Sequence, residues 1–205
     1  MKKIIIIGGA PATGKTTLAK TLSDKFNYPW ISTDFIRGWM KTLVSKKDFP
    51  NLFNFSDITA EEHYSNNYDI KKSIKSEQKR DADVFKGVKS FISKNKYWGC
   101  FIIEGISIHP KDISQLESQE YKIYPIFLID ENIDRIRDIL YSRGLWDKAD
   151  TYEDWVKEIE LEYLIQTNAY YLEECKKLNL PYFKIDKNRE KTIEKIFTSF
   201  KNNNL

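Results

Sequence analysis

Apolar positions fall along this chain in two rhythms. Ile4–Ile7, Cys100–Ile103 and Pro125–Ile129 are short apolar runs with almost no polar interruption, which predicts strands buried on both faces, as in a parallel sheet. Tyr28–Ser32 and Leu180–Asp186 predict two shorter strands. Between the runs, apolar residues recur at intervals of three and four: Leu18, Leu22 and Phe26, then Ile133, Ile136, Ile139 and Leu140. A weaker stripe, Ile70, Ile74, Val84, Val88, Phe91 and Ile92, belongs to a helical region reaching about Lys94 in one or two pieces. The capping box Thr59-Ala-Glu-Glu62 opens that region. Tyr152–Leu178 and Arg189–Lys201 supply the last helices, while 46–58 is loop-like and aromatic (Phe49, Phe53, Phe55). Five strands alternating with helices give an α/β fold, a five-stranded parallel, doubly wound sheet with helical insertions.

The first strand runs into Gly9-Ala10-Pro11-Ala12-Thr13-Gly14-Lys15-Thr16-Thr17, which fits G-x-x-x-x-G-K-[ST], the phosphate-binding loop. Strand, loop and helix follow in the order the chemistry needs. Glycines let successive N–H groups curl around phosphate oxygens, and the positive end of the helix dipole adds to the attraction. Lys15 would reach the β- and γ-phosphates, and the Thr16 hydroxyl would join a Mg²⁺ shell. The apolar run ahead of the loop is too short for the core of a signal peptide.

Other candidates stand near predicted strand ends, where open α/β sheets bind ligands. Asp34 and Arg37, three apart in a first helical turn, could orient an acceptor hydroxyl and hold an anionic group. The alternative is that Thr33 or Asp34 caps the helix and Arg37 is solvated. Glu104, ending an apolar strand before Gly105, suits a water-mediated place in the Mg²⁺ shell. Asp130 competes, but it also stands where the next helix needs a cap. Arg137 and Arg143 are candidates to close over a transferring phosphoryl group, Arg143 the better placed beside Gly144, whereas Arg135 reads as an ion-pair partner of Asp134 or Asp138. Lys71, Lys72, Lys75, Lys79 and Arg80 read as a solvated face, and His63 as a surface or packing histidine.

The chain has 205 residues, enough for one domain, and 33 basic against 30 acidic residues for a net charge of +3. That balance argues against nucleic acid as a partner. Cys100 and Cys175 lie far apart and read as buried, reduced thiols in a cytoplasmic protein. No run is long and apolar enough to suggest a membrane partner.

On these residues the chain resembles the P-loop kinases that include nucleoside-monophosphate, shikimate and gluconate kinases. The nearer likeness is to 2-phosphoglycerate kinase-like proteins. It is carried by Gly8–Thr17, by Ser32-Thr33-Asp34-Phe35-Ile36-Arg37 through Lys41, and by Ile103-Glu104-Gly105 through Pro110. That pattern tends to have a histidine soon after Glu-Gly, where this chain has Ser107, with His109 two positions on. The resemblance implies a single P-loop NTPase domain over 1–205, with a helical substrate-binding insertion at 46–95 and a lid-like region at 135–150. It implies an ATP- and Mg²⁺-dependent kinase acting on a hydroxyl of a small molecule: a sugar acid, a phosphorylated metabolite or a nucleotide-like acceptor. Two alternatives are a nucleotide-dependent switch and a toxin-like kinase of polynucleotides or nucleotide sugars.

Overall fold

A computed structural model describes residues 2–54, 58–65, 69–116, 120–143 and 153–202. Five strands, β1 (Lys2–Gly9), β2 (Trp30–Ser32), β3 (Cys100–Glu104), β4 (Tyr121–Ile129) and β5 (Tyr182–Lys184), pair in the order β2-β3-β1-β4-β5, all parallel. The helices are α1 (Lys15–Phe26), α2 (Thr33–Leu43), α3 (Ala60–Tyr64), α4 (Ile70–Lys94), α5 (Ile133–Arg143), α6 (Asp154–Lys177) and α7 (Arg189–Asn202). None of them is long and apolar enough to cross a membrane.

The isoleucines of β1 explain the layering. Ile4 and Ile6 pack on one face with α2, α4 and α6 through Ile36, Val84, Val88 and Tyr171. Ile5 and Ile7 pack on the other with α1 and α7 through Leu18, Leu22, Ile196 and Phe200. All four isoleucines are fully buried, so a helical layer is needed on each side. Pro125 sits within β4, yet it costs no ladder bond. The Phe127 N–H, on the same edge two residues later, already reaches the Pro181 carbonyl just ahead of β5, so Pro125 faces a stretch of edge that β5 does not cover.

The helical region after Thr59 is indeed broken. Thr59 and Glu62 form the reciprocal capping box of α3, and the Asp69 side chain accepts from Lys72 N to start α4. Two features were not foreseen. Pro110–Leu116 forms a 3₁₀ turn, and β4 begins at Tyr121, four residues before Pro125. Cys175 is buried as expected, whereas Cys100 is only partly so.

One close approach aligns the functional end of the sheet. At Gly105 (φ +155°) an added Cβ would lie 1.7 Å from Thr33 Oγ1, so the end of β3 lies directly against the first turn of α2. Gly105→Ala should therefore lower stability by roughly 2–4 kcal/mol, through both the clash and the positive φ. Gly99→Ala is the control, because a Cβ there meets nothing within 4 Å. Urea midpoints would measure both, and equal midpoints would contradict this packing.

Candidate active site

β1 lies where the strand order reverses, and its carboxyl end opens into the glycine loop. Gly9 (φ +141°) has its missing Cβ only 2.5 Å from the Leu128 carbonyl oxygen, so no side chain fits there. Gly14 (φ +85°) and Ala12 (φ +63°) complete the left-handed turns that curl the loop. Two side chains close it inward: Thr13 Oγ1 donates to the Ala10 carbonyl at 2.9 Å, and Lys15 Nζ donates to the same oxygen at 2.7 Å. Lys15 is 7% exposed, so its ammonium is held at the loop rather than in solvent.

A cleft of about 690 Å³, its mouth included, lies over this loop and is lined by Gly14, Lys15, Thr16 and Thr17 with Ser142 of α5 and Arg189 of α7. An apolar slot of about 360 Å³ adjoins it, walled by Leu18, Leu128, Ile185 and Ile193, and Arg189 borders both.

Glu104 and Thr16 meet at the edge of the loop. The parallel register places Glu104 beside both Ile7 and Ser32. Its Oε1 accepts a hydrogen bond from Thr16 Oγ1 at 3.1 Å. Burial raises the Glu104 carboxyl above its ordinary value; Lys15 and Thr16 oppose that shift, and the nearby Asp34 charge adds to it. A hydroxyl and a carboxylate are the hard oxygen donors that Mg²⁺ takes, directly or through water, so this pair fits that ion. Asp130, the competing acid, is differently engaged. It accepts from Arg135 through both oxygens, at 2.5 and 2.8 Å, and from the N–H of Asn132. Arg135 thus pairs with Asp130 rather than with Asp134 or Asp138.

Asp34 is exposed on the first turn of α2, and the cap of that helix is the Ser32 hydroxyl, which accepts from Phe35 N at 3.0 Å. Neither Thr33 nor Asp34 is needed as a cap. Arg37, three residues on, donates to the carbonyls of Asn54 (2.9 Å) and Leu52 (3.4 Å), tying down the segment after α2. Arg137 does not line the loop cleft. It is exposed and lies 3.4 Å from Glu158 of α6, because its side of α5 is turned toward α6. The expectation that Arg137 closes over the loop does not match this position. Arg143 ends α5 one turn beyond Ile139, a residue of the cleft wall, and its side chain lies outside the described residues, as does 144–150 of the lid-like region.

The largest correction concerns α4. Arg80, read as part of a solvated face, is 4% exposed and donates to Asp81 Oδ1 at 3.0 Å. Asp81 also accepts from Ser107 Oγ (2.8 Å) and pairs with His109 Nε2 (3.0 Å). Burial alone would raise the Asp81 carboxyl, but His109, Arg80 and Ser107 together hold it below its ordinary value. Tyr163 of α6 donates to Glu77 Oε2, and burial raises the Glu77 carboxyl. Sequence reasoning missed Glu77, Asp81, Tyr163 and Thr167. A signal was there: Glu77 and Asp81 fall on the same helical stripe as Ile74, Val84 and Val88, so they had to face inward.

Comparison with known proteins agrees with this architecture. A family profile described as an AAA domain matches residues 3–78. No curated protein matches the sequence. Among solved structures, the shikimate kinase from Acinetobacter baumannii in complex with shikimate is similar with a TM-score of 0.53, at 15% identity, over 100% of this chain and 96% of that one. An uncharacterized protein from Eubacterium ventriosum gives 0.52 at 17% identity, over 98% and 99% of the two chains. The shikimate kinase from Bacteroides thetaiotaomicron gives 0.50 at 15% identity over 98% and 99%. At these identities the likeness is one of fold, and the fold is the kinase-like P-loop NTPase.

The raised Glu104 carboxyl has a measurable consequence. Its folded pKa lies above the ordinary 4.5, so the folded protein binds this proton more tightly than the unfolded chain. Its contribution is therefore present below the ordinary value and lost as pH rises through the folded one. Glu104→Gln keeps the shape and an oxygen for Thr16 but not the charge. It should melt above the parent at about pH 8, with the gap closing toward about pH 4.5. A gap independent of pH would show that the buried charge is not what strains this site.

Proposed function

We propose that this protein is a phosphotransferase that moves the γ-phosphoryl group of ATP to a hydroxyl of a small molecule. One observation carries the reading: Lys15, Thr16, Glu104 and Asp34 converge at the mouth of the glycine loop, with Glu104 bonded to Thr16 and within electrostatic reach of Lys15 and Asp34. A simple nucleotide switch needs the first three. The exposed Asp34 beside them is what a transfer to an acceptor adds.

In this reading the amides of Gly9–Thr17 and the Lys15 ammonium hold the phosphates. The apolar slot beside Arg189 takes the base. Thr16 and Glu104 would hold Mg²⁺, which would supply positive charge to offset that of the phosphates. Asp34 orients the acceptor hydroxyl and takes its proton as the acceptor oxygen bonds to the γ-phosphorus. The bond from that phosphorus to the bridging oxygen breaks, and ADP leaves with the electron pair. Arg143 is the cation assigned to the transferring group. Arg37 acts by fixing the segment at Leu52 and Asn54 beside the acceptor rather than by free reach. The resemblance to 2-phosphoglycerate kinase-like proteins rests on its motif stretches alone and names no acceptor.

The test is purified protein with γ-labelled ATP, Mg²⁺ and a metabolite extract, read by mass spectrometry. A phosphorylated small molecule should appear with the parent and vanish with Lys15→Ala. With the acceptor in hand, Asp34→Asn should lower turnover by at least about 100-fold, in the range for lost acid–base assistance, with ATP affinity changed less than about threefold. ATP binding with slow hydrolysis and no phosphorylated product would favour the switch instead.

A further inference from the structure

Helix α2 carries an apolar ridge that the chain itself leaves largely uncovered. Phe35, Trp39 and Leu43 follow one another every fourth residue along one face and are 62%, 57% and 71% exposed. A single exposed apolar residue is ordinary, but three large ones in a row mark a contact surface. The buried side of the same helix does the packing, with Ile36 and Met40 set against Gly87 of α4. Folding thus accounts for one side of α2 and leaves the ridge without a use.

A groove runs beside the ridge. Gly38 and Thr42, both exposed, form the neighbouring row, and a Cβ added at Gly38 would meet nothing within 4 Å. Glycine inside a helix is less stable than alanine, and no close contact at this position requires it. Large side chains in one row beside small ones in the next make the face self-complementary. The ridge of one copy can enter the groove of a second, and the reverse, as rows four residues apart interdigitate in packed helices.

Charge sets the direction of such a pairing. Asp34 stands at the start of α2, and the exposed Lys46 and Lys47 follow its end. An antiparallel, two-fold pairing brings the lysines of each copy toward the acidic end of the other and opposes the two helix dipoles. A parallel pairing would set like charges side by side. The area is of the right order as well. At roughly 200 Å² for a large apolar side chain, the exposed fractions leave about 350–400 Å² on each copy. Two mated ridges bury about twice that before the rim is counted, close to the ~1,000 Å² that a specific interface needs. The proposed acceptor side stays open. At about 100° a residue, Trp39 lies about 140° around the helix from Asp34 and about 160° from Arg37.

We propose that this face of α2 binds the same face of a second copy of this chain, forming a reversible two-fold dimer with Trp39 at its centre. The proposal does not depend on the phosphotransferase reading. Sedimentation velocity of the intact protein from about 1 to about 300 µM should show the mass rising from one chain toward two, as an interface of this modest size implies. Trp39→Glu removes the anchor, and Gly38→Leu fills the groove from a position where the chain leaves open space. Each should weaken association at least about 30-fold, the scale of a central aromatic contact. Tyr97→Glu, at a residue 93% exposed in the turn ahead of β3, is the control and should stay within about twofold of the parent. A protein that remains a single chain at the highest concentration overturns the proposal, whatever else the ridge binds. So does a dimer that Gly38→Leu leaves intact, because the groove is what selects a second copy. Should Trp39→Glu not fold, Gly38→Leu decides alone.

Discussion

Burial of β1 on both faces is the constraint from which the rest follows. Four isoleucines at 0% exposure need helices above and below, and parallel neighbours on both edges. Such a strand can leave the sheet only at its carboxyl end, between the ends of β3 and β4. The glycine loop begins there because the chain must turn at once under the Leu128 carbonyl, where no Cβ fits. The ends of β2 and β3 are drawn level with it by register. Ser32, Glu104 and Ile7 therefore share one line, and the side chains that follow them reach a common space.

Several carboxyl groups of this fold are kept out of water. Burial raises Glu104, Glu77 and Asp112, which is a standing cost to the fold. Asp81 escapes it only because three groups converge on it. A purely structural core would gain by replacing such groups with apolar ones of similar shape. Glu104, which accepts from Thr16 at the phosphate loop, is placed as the metal role proposed for it requires.

Much of this was legible in the letters, and the reasons are local. A strand buried on both faces has to be apolar throughout, so β1 and β3 announce themselves. A phosphate loop has to be glycine-rich at fixed spacing, so Gly9, Gly14, Lys15 and Thr16 do too. Asp130 could be read as a cap from the letters, but its pairing with Arg135, which reaches back five residues, could not. Arg80 and Arg137 were misplaced for a related reason. A charged residue on a helix reads as solvated or as functional until its neighbours from other helices are known.

The sequence by itself determined the order of elements, the sheet class and the phosphate-binding loop. Each is set by periodicity or by backbone freedom within a few residues. The tertiary structure alone decided which acids are buried, which arginines are already engaged, and that His109, Thr167 and Glu77 share a cleft. Those facts depend on residues tens of positions apart meeting across α4, α6 and the end of β3. No local pattern records such a meeting, because burial and partner are properties of the packed chain.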